Sequence, residues 1–278
     1  MPGWTRAFAT SKTRLTGGAV GFVLTLSLMV VAIFAGAIAP VDPFASVGAP
    51  LTPPSRAHVL GTDDLGRDLL AGIAHGARTS LLVVVSVTAL TAVIGVTIGA
   101  VAGYRAGSTD DVLMRLTEFV QVVPRFFLAV LVIALFGPGL DRVALVLGLT
   151  SWPAIARVVR AETLTLARRE FVEAAHALGA PAWRVLARHV MPNALPAAIV
   201  VVSVNAGTVI LMEAGLGFIG LGDPQAISWG YLANNAQRFL RVAWWMALFP
   251  GLAIALAVLG LNLLGDALND LLAPRTGG

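Results

Sequence analysis

The chain contains no cysteine and only four histidines and two tyrosines, and Lys12 is its single lysine. Without cysteine there is no disulfide framework, no thiolate metal site and no cysteine nucleophile. The lone lysine stands in no G-x-x-x-x-G-K-[ST] loop, so the chain cannot cradle ATP phosphates itself. His58, His75, His176 and His189 form no H-E-x-x-H pair, and no serine sits in a G-x-S-x-G setting. No catalytic constellation remains. Charge is also scarce, at 12% of residues, against 57% hydrophobic residues and a mean hydropathy of +0.84. Such a composition excludes a soluble globular domain and predicts an all-α, polytopic membrane protein. The 278 residues suffice for about six spans of roughly 20 residues each. With arginine carrying almost all the positive charge, the pI of 10.6 reflects arginines flanking membrane segments and gives no sign of nucleic-acid binding.

In chain order, Met1 to Thr16 is polar and basic, and an apolar run from Gly18 to Ala39 follows without a small-residue cleavage site. It reads as an uncleaved first span with its amino end in the cytoplasm. Residues 41–79 are rich in proline, glycine and aspartate and form an extracytoplasmic loop with a short amphipathic helix. Thr62 or Asp63 is placed to cap a helix beginning near Asp64. Asp63, Asp64 and Asp68 fit no calcium-loop spacing, and Arg67 among them would repel a cation; capping and local salt bridges explain them better. The second span is expected over residues 80–102, with Gly95, Gly99 and Gly103 letting a neighbouring helix approach closely. The third, over 113–136, carries Glu118, Gln121, Pro124 and Arg125 in its first half. Intramembrane charge is costly, so these groups face protein, a water-filled path or an interface, either as compensated charges beside a proline kink or as substrate contacts.

The fourth span begins near Asp141 and turns polar at Arg157. From there Arg157, Arg160, Arg168, Arg169, Arg184 and Arg188 gather against Glu162, Glu170 and Glu173. This largest positive cluster predicts a cytoplasmic segment, and counting spans from the amino end gives the same side. The fifth span, 194–218, contains Asn205 and Glu213. Glu213 is either a functional intramembrane carboxyl or a hydrogen-bonded structural one. Trp244 and Trp245 mark the interface where the sixth span begins, and 266–278 is read as a cytoplasmic tail.

Within the arginine cluster, Glu170 to Pro192 is too short and charged to cross a bilayer. Phe171, Ala174, Ala175 and Leu178 recur at helical spacing, Gly179 suits a left-handed helix end, and Pro181 suits the first turn of a second helix. Trp183, Leu186 and Val190 share one side of that second piece, before Pro192 and Pro196 reset the chain. An amphipathic helix resting on the membrane would explain the apolar face but not the pairing of Glu173-Ala174-Ala175 with Gly179.

Those residues, closing on Leu195-Pro196, resemble the E-A-A loop of the membrane subunits of ABC importers. His58 to Asp68, as H-x-L-G-T-D-x-x-G-R-D, resembles the second permease of dipeptide, oligopeptide and nickel importers. Glu213 to Pro224 is similar to that family's E-x-x-L-x-F-L-G-L-G segment, with Gly217 where serine is common and Ile219 where leucine is. Ser228-Trp229-Gly230 matches the family's S-W-G turn. Asn262 to Asp270 is similar to its closing N-L-L-G-D-x-L-R-D, with Asn269 in the basic position. The resemblance implies a type I ABC importer permease fold with a five-helix core over 80–265 and a coupling loop over 166–192. It further implies that Glu170, Glu173, Ala174, Ala175, His176, Leu178, Gly179, Ala180 and Trp183 engage a partner ATPase.

By the same resemblance, ATP and Mg are bound only on the partner subunits. The other partners are a second homologous permease, one or two P-loop ATPases and an extracytoplasmic binding protein, in a bacterial or archaeal cytoplasmic membrane with both termini inside. The cargo is di- or oligopeptide, with nickel as the alternative that His58 and His75 keep open. Glu118, Gln121, Arg125, Asn205 and Glu213 are the polar candidates for the path. A proton-coupled secondary transporter would instead need Glu118 and Glu213 as its relay.

Overall fold

The computed structural model describes residues 4–272; Met1 to Gly3 and the end of the expected tail, 273–278, lie outside the described residues. Twelve α-helices form the described chain, with no strand among them. A long amino-terminal helix α1 (Trp4–Ile33) and a single turn α2 (Ala35–Ile38) lead into an irregular loop. Then come α3 (Leu69–Arg105), α4 (Gly107–Val122), α5 (Arg125–Phe136), α6 (Leu140–Ser151) and α7 (Pro153–Leu166). Two short pieces, α8 (Glu170–Ala177) and α9 (Ala182–Val185), precede α10 (Met191–Phe218), α11 (Trp229–Ala236) and α12 (Trp244–Leu272). Five of the continuous helical segments are long and apolar enough to cross a membrane, and six if the bent pair α4 and α5 counts as one.

Close packing is concentrated on α3. It lies along α7 and also touches α10 and α6, while α12 bridges α10 and α1. The glycine row explains the tightest contact. A Cβ at Gly95 would stand 2.7 Å from Cβ of Ile155, and one at Gly99 would come within 2.8 Å of Cβ of Val159. The neighbour that the sequence left unnamed is therefore α7. The central core joins Val83 and Val87 of α3, Leu147 of α6, Ile210 and Leu216 of α10, Trp229 of α11 and Ala257 of α12. Outside this core, Phe22, Val23, Leu82, Val85, Val93, Phe119, Phe127 and Leu135 are exposed. An apolar surface of this extent is a property of chains that face lipid or other subunits.

The expected helix start at Asp64 is displaced. Helix α3 begins at Leu69, capped by Asp68, whose carboxylate accepts from the Ala71 N–H at 3.0 Å. Asp63 serves the loop instead, its Oδ1 accepting from the N–H groups of Leu65 and Arg67, each at 2.8 Å. Burial pushes the Asp63 carboxyl above its ordinary range, and the two backbone donors oppose that shift. Thr62 ties the loop to itself by donating to the Ala49 carbonyl, and the Trp245 indole donates to the Thr62 carbonyl at 3.1 Å. His58 meets Asp68 at 2.9 Å. The H-x-L-G-T-D-x-x-G-R-D string is thus a knot joining loop, α3 and α12, and no cluster of three metal-capable side chains exists among the described residues.

Two further boundaries depart from the sequence reading. Pro192 and Pro196 do not reset the chain, because helix continues from Ala182 to Phe218. The turn before Pro192 opens into a π-helix, Leu186–Val190, in which the Met191 N–H reaches the Leu186 carbonyl. A proline lacks an N–H and crowds the carbonyl four residues earlier, and a widened turn accommodates both defects without ending the helix. At the third span the expected proline kink is a full break: α4 and α5 meet at 69° around Val123-Pro124.

Candidate functional site

Helix α8 carries Glu170 and Glu173 in its first turn, where carboxylates suit the positive end of a helix. It ends in a Schellman motif: the Ala180 N–H bonds the Ala175 carbonyl at 3.1 Å, and the Gly179 N–H bonds that of His176 at 2.9 Å. Gly179 stands at φ +81°, a conformation that L side chains rarely adopt. Pro181 caps α9 rather than opening its first turn. The expected helix, corner and helix are all present.

Val172 and Ala175 are the buried pair of α8, packed with Val185 and Val190 beneath Tyr104, Leu166 and Leu186. Of the apolar face read from the helical spacing, Ala175 is buried while Phe171 and Leu178 are exposed, Leu178 by 89%. Trp183, read on one side with Leu186 and Val190, is exposed while Val190 is buried, and the Arg184 guanidinium lies 5.4 Å above its ring. Ala174 and Glu173 are exposed as well. The unit therefore stands on a small valine and alanine core and presents an unpartnered apolar face amid arginines. Tyr104 at the end of α3 reaches His176 at 3.0 Å, so the unit is also joined to the longest helix of the core. Tyr104 was the participant the sequence reading missed; only its place at the polar end of an apolar run signalled it.

The polar path candidates fall into three places. Glu213 is buried between α10, α3 and α11, accepting from the Ser80 hydroxyl at 3.1 Å, while Ser80 accepts from the Trp229 N–H. Asn205 is buried against α3, its amide 3.5 Å from the Thr91 hydroxyl. Both are structural ties of α10 to α3. Glu118 is exposed on α4. Gln121 and Arg125 meet at one cavity of about 270 Å³, with Pro124, Thr150, Ser151 and Pro153. Glu118 and Glu213 are not brought together, so the relay of a secondary transporter is not assembled. His58 and His75 are separately engaged, by Asp68 and by the Ala39 carbonyl at 3.3 Å.

Glu213→Gln keeps an acceptor for Ser80, whereas Glu213→Leu strands it. The first is expected to melt within a few degrees of wild type in detergent. The second should lose about 1–3 kcal/mol, read as a clearly lower melting temperature; equal melting for the two would remove the structural role.

Residues 95–278 match the family model for the binding-protein-dependent transport system inner membrane component. The chain belongs to this family. The permease is 38% identical, over 93% of its length and 88% of the relative's, to the di/tripeptide transport system permease protein DppC of Pseudomonas aeruginosa (strain UCBPP-PA14). It is 40% identical, over 80% of its length and 74% of the relative's, to the glutathione transport system permease protein GsiD of Pectobacterium atrosepticum. Among solved structures, the inward-facing MetNI methionine ABC transporter shares the fold, with a TM-score of 0.62 at 18% identity, covering 73% of the permease and 96% of that chain. The permease is a multi-pass membrane component without catalytic motifs of its own.

The Gly217 departure has a structural reading. A Cβ there would meet the Gly230 Cα at 2.9 Å, and one at Gly230 would meet the Ala214 carbonyl oxygen at 2.7 Å. In this permease the S-W-G turn lies directly on α10 through two facing glycines.

Proposed function

We propose that this permease forms half of the translocation path of an ATP-driven importer of di- or oligopeptides, working by alternating access. The observation that carries the coupling half of this reading is the exposed face of Phe171, Leu178 and Trp183, held on a buried valine and alanine core. An apolar patch in a polar, arginine-rich surround is what a protein groove recognises, and the adjoining arginines support a cytoplasmic position for that face, where ATP is. Residues 166–192 then act as the coupling loop. The ATPases close on ATP binding, carry α8 with them, and move α3 through Tyr104 and the Val172 and Ala175 contacts. The exposed apolar surface of α4 and α5 suits a second, homologous permease. Peptide as cargo is supported by the peptide-transporting relatives and by the engagement of His58 and His75 in loop contacts, which leaves no histidine pair for nickel.

A carboxyl-terminally tagged permease extracted in mild detergent is expected to bring down a second six-span permease and one or two P-loop ATPases. Leu178→Asp with Trp183→Asp should release the ATPases and retain the second permease. Recovery of the ATPases in full with that double variant would overturn the docking face, and repeated recovery of an active permease alone would overturn the whole assembly.

A further inference from the structure

One helix break lies beside an unbroken helix in this fold. The α4 and α5 break leaves Arg125 as the first residue of a 12-residue helix that ends at Phe136, and α6 passes through Trp152 into α7 as one helical segment, Leu140–Leu166. At 1.5 Å per residue, Arg125 and Ser151 each lie about 18 Å along their helices from the Gly137-Pro138-Gly139 turn that joins them. That is close to the middle of a hydrocarbon layer about 30 Å thick. The cavity of about 270 Å³ opens where the α4 and α5 break meets the α6 and α7 junction.

Its lining is chemically one-sided. Arg125 brings a guanidinium and Gln121 an amide, and no acidic residue borders it. Arg125 has no hydrogen-bond or ion-pair partner among the described residues, although an unpaired charge within a membrane span is costly. The two hydroxyl residues of the lining add no free donor: Thr150 donates to the Val146 carbonyl at 2.7 Å, and the Ser151 hydroxyl is buried away from the cavity. A lone cation and an amide at one small cavity without an acidic neighbour are a donor set for an anion.

We propose that the cavity beside the α4 and α5 break is a carboxylate site on the transport path, in which Arg125 and Gln121 hold the free C-terminal carboxylate of the transported peptide. This rests on the peptide-importer reading above. The guanidinium fork pairs with both carboxylate oxygens, and the Gln121 amide donates to one of them from the side. The volume is below the range of about 300–1,000 Å³ typical of whole small-molecule sites, so it admits one terminal residue and leaves the rest of the peptide in the open path. Recognition of a group common to all peptides gives a path that is indifferent to side-chain sequence yet rejects neutral solutes.

The absence of cysteine supplies the test. Ala154, exposed at the rim of the cavity, is replaced as Ala154→Cys in the assembled transporter, and its labelling is followed by the mass of this chain. Sulfonatoethyl and trimethylammonioethyl methanethiosulfonates are compared, each rate divided by that with free cysteine. The anionic reagent is expected to lead by about tenfold, and Arg125→Gln should abolish the preference. Equal rates, or a cationic preference, overturn the anion site. In the second arm the reconstituted transporter is offered alanyl-alanine and its C-terminal amide. Wild type should move the free acid about tenfold faster, Arg125→Gln should bring the two together, and Arg125→Lys should keep part of the difference. An anionic labelling preference with acid and amide moved alike overturns the role on the path. If neither dipeptide moves while Arg125→Gln still removes the labelling preference, the peptide reading falls and the anion site stands.

Discussion

Gly179→Arg is expected to leave the permease inserted and associated with its second permease while ATP-driven uptake falls by about tenfold or more. At φ +81° any L residue strains the backbone, at a cost of about 1 kcal/mol. A Cβ built there meets nothing within 4 Å, so the side chain starts into open space. An effect beyond backbone strain then comes from what lies against the corner. Gly179→Ala carries the same backbone strain without the long side chain and separates the two causes. Uptake near wild type for alanine and near zero for arginine would support docking at this corner. Equal loss in both variants would assign the effect to strain, and normal uptake with arginine would remove the corner from the ATPase interface.

The second large effect is expected at Gly99. Its Cβ would lie within 2.8 Å of Cβ of Val159 and 3.0 Å of the Arg160 backbone nitrogen. Backbone atoms of α7 cannot rotate out of the way as a side chain can, so Gly99→Val must force the two helices apart. Overpacking of this kind typically costs about 1–3 kcal/mol, and α3 with α7 is the most extensive helix pair of the fold. The local trend runs the other way, because replacing a mid-helix glycine improves helix propensity by a few tenths of a kcal/mol. A strong loss of melting temperature in Gly99→Val would therefore report the packing contact. Gly251→Ala in α12, where a Cβ meets nothing within 4 Å, is the control and should melt at or above wild type. If both variants melted like wild type, the close approach of α3 and α7 would be refuted.

Much of the architecture was legible because a bilayer leaves few choices. Apolar runs long enough to cross it must be helices, and the Trp244 start of α12, the glycine row of α3 and the corner at Gly179 all followed from local rules. The positions that were misread share a cause. Asp63 and Asp68 are both plausible caps by type, and their assignment depends on which carboxylate the loop itself uses. Phe171 and Val172 are both apolar, and the sequence left open which is buried, because that depends on where Tyr104, Val185 and Val190 lie. Pro192 signals a break, and only the widened turn before it keeps the helix running.

The sequence by itself determined the helical membrane class, the polar island between the fourth and fifth spans and the left-handed corner at Gly179. These rest on composition, period and backbone sterics, which act over a few residues. Tertiary structure alone decided that α7 is the partner of the glycine row and that Glu213 ties α10 to α3 through Ser80. It also decided that Arg125 and Ser151, distant in sequence, share a cavity. Each of those outcomes depends on which helix faces which, and that is fixed by the simultaneous packing of all the helices, not by any one segment's own residues.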